Sequence, residues 1–233
     1  MAPDFFEVKM VEIVSLAKDY VIIYKPVGIP SQPDLSGDKD AMTATGELLS
    51  NMGEDNSLFL IHRLDRVVGG LLVFARNKKS AATLSSLVAG EGLKKEYYAV
   101  VCGVAPGGVM KDFLFKDQTL GKAFVTDRKR AGVKEAELEY TTLDTVSYNS
   151  SEISLVKIRL KTGRFHQIRA QFSSRKMPLI GDKKYGSRDF SAKTPSLFAT
   201  KLGFDFNGKQ IEATRLPDLA QYPWSLFKEE NYS

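Results

Sequence analysis

The sequence predicts an α+β fold in which a mixed, mostly antiparallel central sheet carries flanking helices. Two pairs of alternating apolar and polar segments meet at short turns, as hairpin strands do: 135–148 with 151–163 around YNSS, and 196–206 with 209–216 around Asn207-Gly208. The stretch KKSAATLSSLVAGEG, by contrast, sets Leu84, Leu87 and Val88 at helical spacing. With 233 residues, 43% of them hydrophobic, the chain is long and apolar enough to bury a full core.

From the N-terminal side, DYVIIYKP (19–26) is rich in β-formers and ends at Pro26, and VGIPSQPDLSGDKD has the Gly, Pro and Asp content of a loop. Residues 34–56 hold six acids and one lysine, a poor surface for phosphate. The stretch IHRLDRVVGGLLVFARN (61–77) then places His62, Arg63, Asp65 and Arg66 just before a diglycine and an apolar strand. Asn77 is a candidate N-cap for the helix that follows, and Gly90 a stop. Next comes a strand, KKEYYAVVCG, whose alternation turns Tyr97 and Tyr98 to opposite faces, so that only one can reach a cleft. No repeat or low-complexity tract interrupts this order.

Charge is concentrated. The chain carries +5 overall, but residues 161–188 hold eight Lys or Arg and one acid, Asp182, for a local +7. Interleaved with Phe165, Phe172 and Tyr185, this segment has the composition of a groove that tracks a phosphate backbone, although a solvated surface has it too. A second basic stretch is KAFVTDRKRAGVK (122–134). Cys102 is the only cysteine, so no intrachain disulfide forms, and the two histidines, His62 and His166, lie beside arginines that repel a divalent cation. No metal site is expected. No run approaches the roughly 20 apolar residues of a membrane span, so a soluble cytoplasmic protein is expected.

In order along the chain, DYVIIYKPVGI, HRLDRVVGGLLVFAR, KKEYYAVVCG, and KTGRFHQIRAQF with PLIGDKKYG resemble the motifs of the RluA-type RNA pseudouridine synthases. The likeness runs from about residue 14 to 215. It implies that uridine in a structured RNA, ribosomal or transfer, is isomerised: the N1–C1′ bond breaks, the uracil turns, and C5 bonds to C1′. That reaction is redox-neutral and transfers no external group. It needs no cofactor, and the sequence contains neither a dinucleotide loop nor a P-loop.

By the resemblance, Asp65 is the nucleophile, whether it attacks C1′ directly or the sugar passes through a glycal-like species. Taken alone, an Asp between Arg63 and Arg66 reads as a structural ion pair. Arg169 of HQIR corresponds to the basic residue paired with that Asp. Such a pair is expected to lower the Asp pKa by roughly 1–3 units and keep Asp65 ionised. Tyr97 corresponds to the tyrosine that stacks on the base and handles the C5 proton, and Ile168 to the apolar residue beneath the uracil. Reaching C1′ requires flipping the nucleotide out of its stack. The family's His-Arg at the opened site carries over to Arg63 and, less directly, His62, while Arg164, Lys183 and Lys184 belong to the expected basic rim.

Several positions depart from the family's common pattern. Val68-Gly69-Gly70 stands where Thr-Ser-Gly is frequent, Phe165 where Thr is usual, Gln171 where His is common, and Phe198 in place of a frequent His. Only 18 residues precede Asp19, fewer than the roughly 50 of an independent domain. A single catalytic domain over 1–233 is expected, without the S4-type domain often found in the family and with no obligate protein partner. The competing expectation is an RNA-binding or RNA-folding module that keeps the fold without turnover.

Overall fold

The computed structural model describes residues 10–189 and 191–232. Strands β1 (Glu12–Leu16) and β2 (Tyr20–Lys25) lead to helix α1 (Ala41–Asn51), the short β3 (Phe59–Leu60), β4 (Gly69–Ala75) and helix α2 (Lys78–Ala89). There follow β5 (Lys94–Cys102), β6 (Gly108–Asp117), β7 (Lys122–Thr126), β8 (Val133–Tyr148), β9 (Ser151–Leu160), helix α3 (Gln167–Ser174), β10 (Leu197–Phe206) and β11 (Lys209–Thr214). All eleven strands join one sheet in the order β1-β2-β4-β10-β5-β9-β8-β6-β7, with β11 on β10 and β3 on β4. Only β4 and β10 pair in parallel, through Gly69 with Phe198 and Gly70 with Ala199. The fold is α+β, as the sequence predicts.

The predicted hairpins form in the expected places. Asn149 and Ser150, and likewise Asn207 and Gly208, have positive φ at both central positions, which is what two-residue turns need to match the twist of the flanking strands. Helix α2 begins at Asn77, whose side chain accepts from the Ser80 N–H while the Ser80 hydroxyl accepts from the Asn77 N–H, and it ends at Gly90. Helix α1 was not legible in the sequence. Its buried stripe is Ala41, Thr45 and Leu49, and the middle residue is polar. Thr45 is tolerated there because its hydroxyl donates to the Ala41 carbonyl at 2.6 Å. Strands β6 and β7 were also missed: β7 is the edge strand and β6 its neighbour, and burial along them does not follow a strict alternation.

Strands β2 and β4 are buried along their whole length because both faces of the sheet are covered. On one face Val21, Ile23, Leu72 and Phe74 pack with Ile168 and Phe172 of α3 and Ala41 of α1. On the other, Ile22, Leu71 and Val73 pack beneath Leu84 of α2. Each fully buried aliphatic or aromatic side chain contributes about 1.5–3 kcal/mol. Tyr97 and Tyr98 divide between the two faces: Tyr97 joins the α3 side, and Tyr98 packs edge-on against Tyr232.

The parallel junction between β4 and β10 depends on Gly70. Its φ is +128°, and a Cβ there would lie 2.3 Å from the Ala199 carbonyl oxygen and 2.5 Å from its nitrogen. Backbone cannot yield as a flexible side chain would. Gly70→Ala is therefore expected to lower the unfolding free energy by about 3 kcal/mol, read as a shifted urea midpoint with an unchanged m-value.

Candidate active site

The segment 61–68 runs from the end of β3 to the start of β4 and is tied down from beneath by the loop after β2. The Leu64 N–H donates to Ser31 Oγ at 3.0 Å, the Ser31 hydroxyl donates to the Leu64 carbonyl at 2.8 Å, and the Gly28 N–H donates to the Arg66 carbonyl at 2.8 Å. Lys25 is wholly buried and donates to the carbonyls of Pro26 (2.9 Å), Ile29 (2.8 Å) and Arg66 (3.5 Å). Burial draws its pKa down to about 7, against the pull of Asp65. Arg66 points away, donating to the Gly28 carbonyl and pairing with Asp38. The Val68 N–H closes the turn onto the Asp65 carbonyl at 2.9 Å. Asp65 is thus presented at the tip of a braced turn.

Around it lies a cleft of about 800 Å³, bordered by Tyr97, Ile168, Arg169, Arg63 and Arg164, within the range of small-molecule sites. One Asp65 carboxylate oxygen, Oδ2, lies 3.3 Å from Arg169 Nη1 and 3.5 Å from His166 Nε2. Burial pushes the Asp65 pKa above the ordinary carboxylate value, with Arg169, Lys25 and Arg63 opposing. The expectation of a lowered pKa is thereby overturned. The reason is burial, and Arg169 is also shared: its Nε and Nη2 donate to both oxygens of Asp182 at 2.7 and 2.8 Å, and Asp182 is completely buried. One cation serves two carboxylates, and the closer geometry belongs to Asp182.

Tyr97 is buried, and its hydroxyl is held protonated by burial and by the Asp65 charge. Ile168 lies 4% exposed at the base of the cleft. Arg63, Lys183 and Lys184 are exposed, and the two lysines border a smaller groove of about 320 Å³ that also touches Asp65 and Arg169. Arg164 donates from Nε to the Glu135 carbonyl at 2.8 Å. His62 also borders the cleft, and its Nε2 accepts from the Val73 N–H at 3.4 Å, filling the place beside β4 where β3 has ended. Among the described residues its buried Nδ1 has no partner. Of the eight cations in 161–188, Arg169 is buried against Asp182, and the exposed Arg175 donates to both oxygens of Asp112 at 2.9 and 3.2 Å.

Sequence reasoning missed His166, Asp182 and Tyr185 as members of the site. The Ala123 N–H donates to Tyr185 Oη at 2.8 Å, leaving the phenolic proton for His166 Nδ1, 3.0 Å away. The imidazole proton then sits on Nε2, facing Asp65. Stacking of the imidazole on Phe165, with ring centroids 3.8 Å apart, fixes its plane. Burial together with Arg169 and Lys184 pulls the His166 pKa down to about 3, so the ring is neutral. One signal for Asp182 was available in the sequence: it is the lone acid in the most basic stretch of the chain.

Residues 19–174 match the family described as RNA pseudouridylate synthase. The chain is 33% identical over 201 residues to an uncharacterized RNA pseudouridine synthase of Aquifex aeolicus, a match covering 83% of this chain and 61% of the relative. It is 30% identical to the ribosomal large subunit pseudouridine synthase D of Borreliella burgdorferi (84% and 61% covered) and 26% identical to the tRNA pseudouridine synthase C of Vibrio vulnificus (84% and 85%). The chain thus spans about three fifths of the Aquifex and Borreliella relatives. Human RNA pseudouridylate synthase domain containing 1 shares the fold, with a TM-score of 0.73 at 21% identity over 96% of this chain and 89% of that one.

Two outcomes follow from this geometry. Asp182→Asn leaves Arg169 buried with only the looser Asp65 contact and should cost about 3–5 kcal/mol of unfolding free energy, measured by urea titration. The second concerns pH. His62 and His166 are both held near 3 against an ordinary 6.5, so the unfolded chain takes up protons first as pH falls. Their contribution to stability is complete above about pH 6.5 and is lost on descending toward 3, at up to about 1.4 kcal/mol per pH unit for each ring. Asp65, shifted upward, acts with the opposite sign. The slope of stability between pH 6 and 4.5 should therefore be shallower in His166→Asn than in the natural protein.

Proposed function

We propose that this chain, which belongs to the RNA pseudouridylate synthase family, isomerises uridine in a structured RNA to pseudouridine with Asp65 as its nucleophile. The observation that carries the proposal is the placement of the Asp65 carboxylate, on a braced turn, in a cleft that also contains Arg169 and Tyr97. A flipped uridine enters with its base against Tyr97 and Ile168. Oδ2 of Asp65 is held by Arg169 and faced by His166 Nε2, which leaves Oδ1 to meet C1′. An upward-shifted carboxylate is the more basic and hence the more reactive nucleophile once ionised.

The neutral Tyr97 hydroxyl stands beside the reacting base and takes part in moving the C5 proton after the uracil has turned and C5 has bonded to C1′. Arg63, exposed at the mouth, occupies the space that the extruded base leaves in the RNA. The exposed cations of 161–188, including Lys183 and Lys184, engage phosphates along the rim. Relatives named for ribosomal and for transfer RNA both match, which supports a structured RNA as the substrate class.

Single-turnover assays with RNA tritiated at C5 of uridine test this reading, because bond formation at C5 frees the label. Asp65→Asn should reduce tritium release by about 10⁴-fold or more while RNA affinity is retained. Tyr97→Phe keeps the ring and should slow release by roughly 10² to 10⁴ at normal affinity. A folded Asp65→Asn protein that still isomerised uridine at a comparable rate would remove Asp65 from the mechanism and favour a module that only binds RNA.

A further inference from the structure

Lys95 lines the same cleft, and neither the nucleophile nor its ion pair makes use of it. It stands two residues before Tyr97 on β5, so strand alternation turns both side chains to the cleft face, about 7 Å apart along the strand. The side chain is half-buried, and among the described residues its ammonium has no hydrogen-bond or ion-pair partner. Burial lowers its pKa, and no carboxylate pulls against that shift.

The other buried cations are all compensated: Lys25 by three carbonyls, Arg76 by Glu54, and Arg169 by Asp182. A partly desolvated charge without a counter-ion is an unfavourable state that an arriving anion relieves. The surroundings of Lys95 offer that anion room. His62 beside it is neutral, held near a pKa of 3 by burial and by the Lys95 charge itself. On the other side lies Gly163, where a Cβ would stand 3.1 Å from Nζ, so the absence of a side chain keeps the ammonium open to the cleft.

We propose that Lys95 is an anion subsite that holds the phosphodiester adjoining the target uridine. The assignment rests on the reading that a nucleotide occupies the Asp65 cleft. A uridine whose base meets Tyr97 brings a phosphate on each side of its sugar, and the position of Lys95 one alternation away along β5 suits one of them. A phosphodiester fits the site better than a uracil carbonyl because it supplies the negative charge that the cleft wall lacks at this point.

The test compares the natural protein with Lys95→Met and Lys95→Arg, using a short oligouridylate and the same oligomer with an uncharged methylphosphonate backbone. Lys95→Met should bind the phosphodiester oligomer roughly tenfold more weakly, with the slope of log affinity against log salt reduced by about 0.7. It should bind the methylphosphonate oligomer as the natural protein does. Lys95→Arg should stay within about threefold, and the melting temperature of Lys95→Met should be unchanged or raised. Three results would each overturn the proposal: unaltered phosphodiester binding, an equal loss with both oligomers (which would mark a base contact), or a clearly lower melting temperature (which would mark a structural lysine). If the natural protein isomerises no uridine in any RNA yet the charge-dependent loss persists, the enzymatic reading fails and the anion subsite stands.

Discussion

Between α3 and the loop that ends in the Lys183–Tyr185 turn, the guanidinium of Arg169 is gripped by both oxygens of Asp182, with almost no solvent on either partner. Much else in the site hangs from that pair. It fixes the start of α3, and with it Ile168 on one side and His166 on the other. It also turns the remaining guanidinium nitrogen, Nη1, toward Asp65. Close approach of the loop backbone helps to hold Asp182, since a Cβ on Gly181 would meet the Thr194 carbonyl oxygen at 2.3 Å. A buried ion pair of this kind gains little net stability over an apolar substitute, but losing one partner is costly, so it acts mainly as a geometric constraint.

Sharing the cation sets the electrostatics of the cleft. Asp182 takes the shorter contacts, and in the Asp65 pKa burial prevails over Arg169, Lys25 and Arg63. Neutral hydrogen-bonding groups complete the surroundings: His166 is held in one tautomer by Tyr185, and the Tyr97 hydroxyl is kept protonated. The positive charge of the segment 161–188 is in this way divided. Arg169 is buried against Asp182, while Arg175, paired with Asp112, and Lys176, Lys183, Lys184 and Arg188 remain on the surface. Composition alone had counted them together.

Two departures from the family pattern that look independent in the sequence are neighbours in the fold. Gly69 and Phe198 are paired across the parallel junction, and the position a Gly69 Cβ would take lies 3.6 Å from Phe198 Cδ2 and 3.3 Å from Val27 Cγ2. A large ring on one strand sits against a missing side chain on the other, so the two changes preserve volume together. Gln171 stands where the family often has His. It is fully buried, and its Nε2 donates to Asp112 at 2.6 Å, which ties α3 to β6.

Local patterns determined the hairpins, the capped helix α2, the opposite facing of Tyr97 and Tyr98, and the membership of Asp65, Arg169 and Tyr97 in one group of motifs, because turn chemistry, periodicity and short motifs are written in adjacent residues. What adjacency does not contain was decided by the tertiary structure. Helix α1 was hidden behind Thr45, whose burial depends on a hydrogen bond within the helix. His62 is tied to β4 because β3 ends early and leaves the Val73 N–H needing an acceptor. The sign of the Asp65 shift followed from its burial, which outweighs Arg169, Lys25 and Arg63. Charge can be counted in a sequence, but which charges share a partner and how much water remains around them depend on segments brought together only by folding.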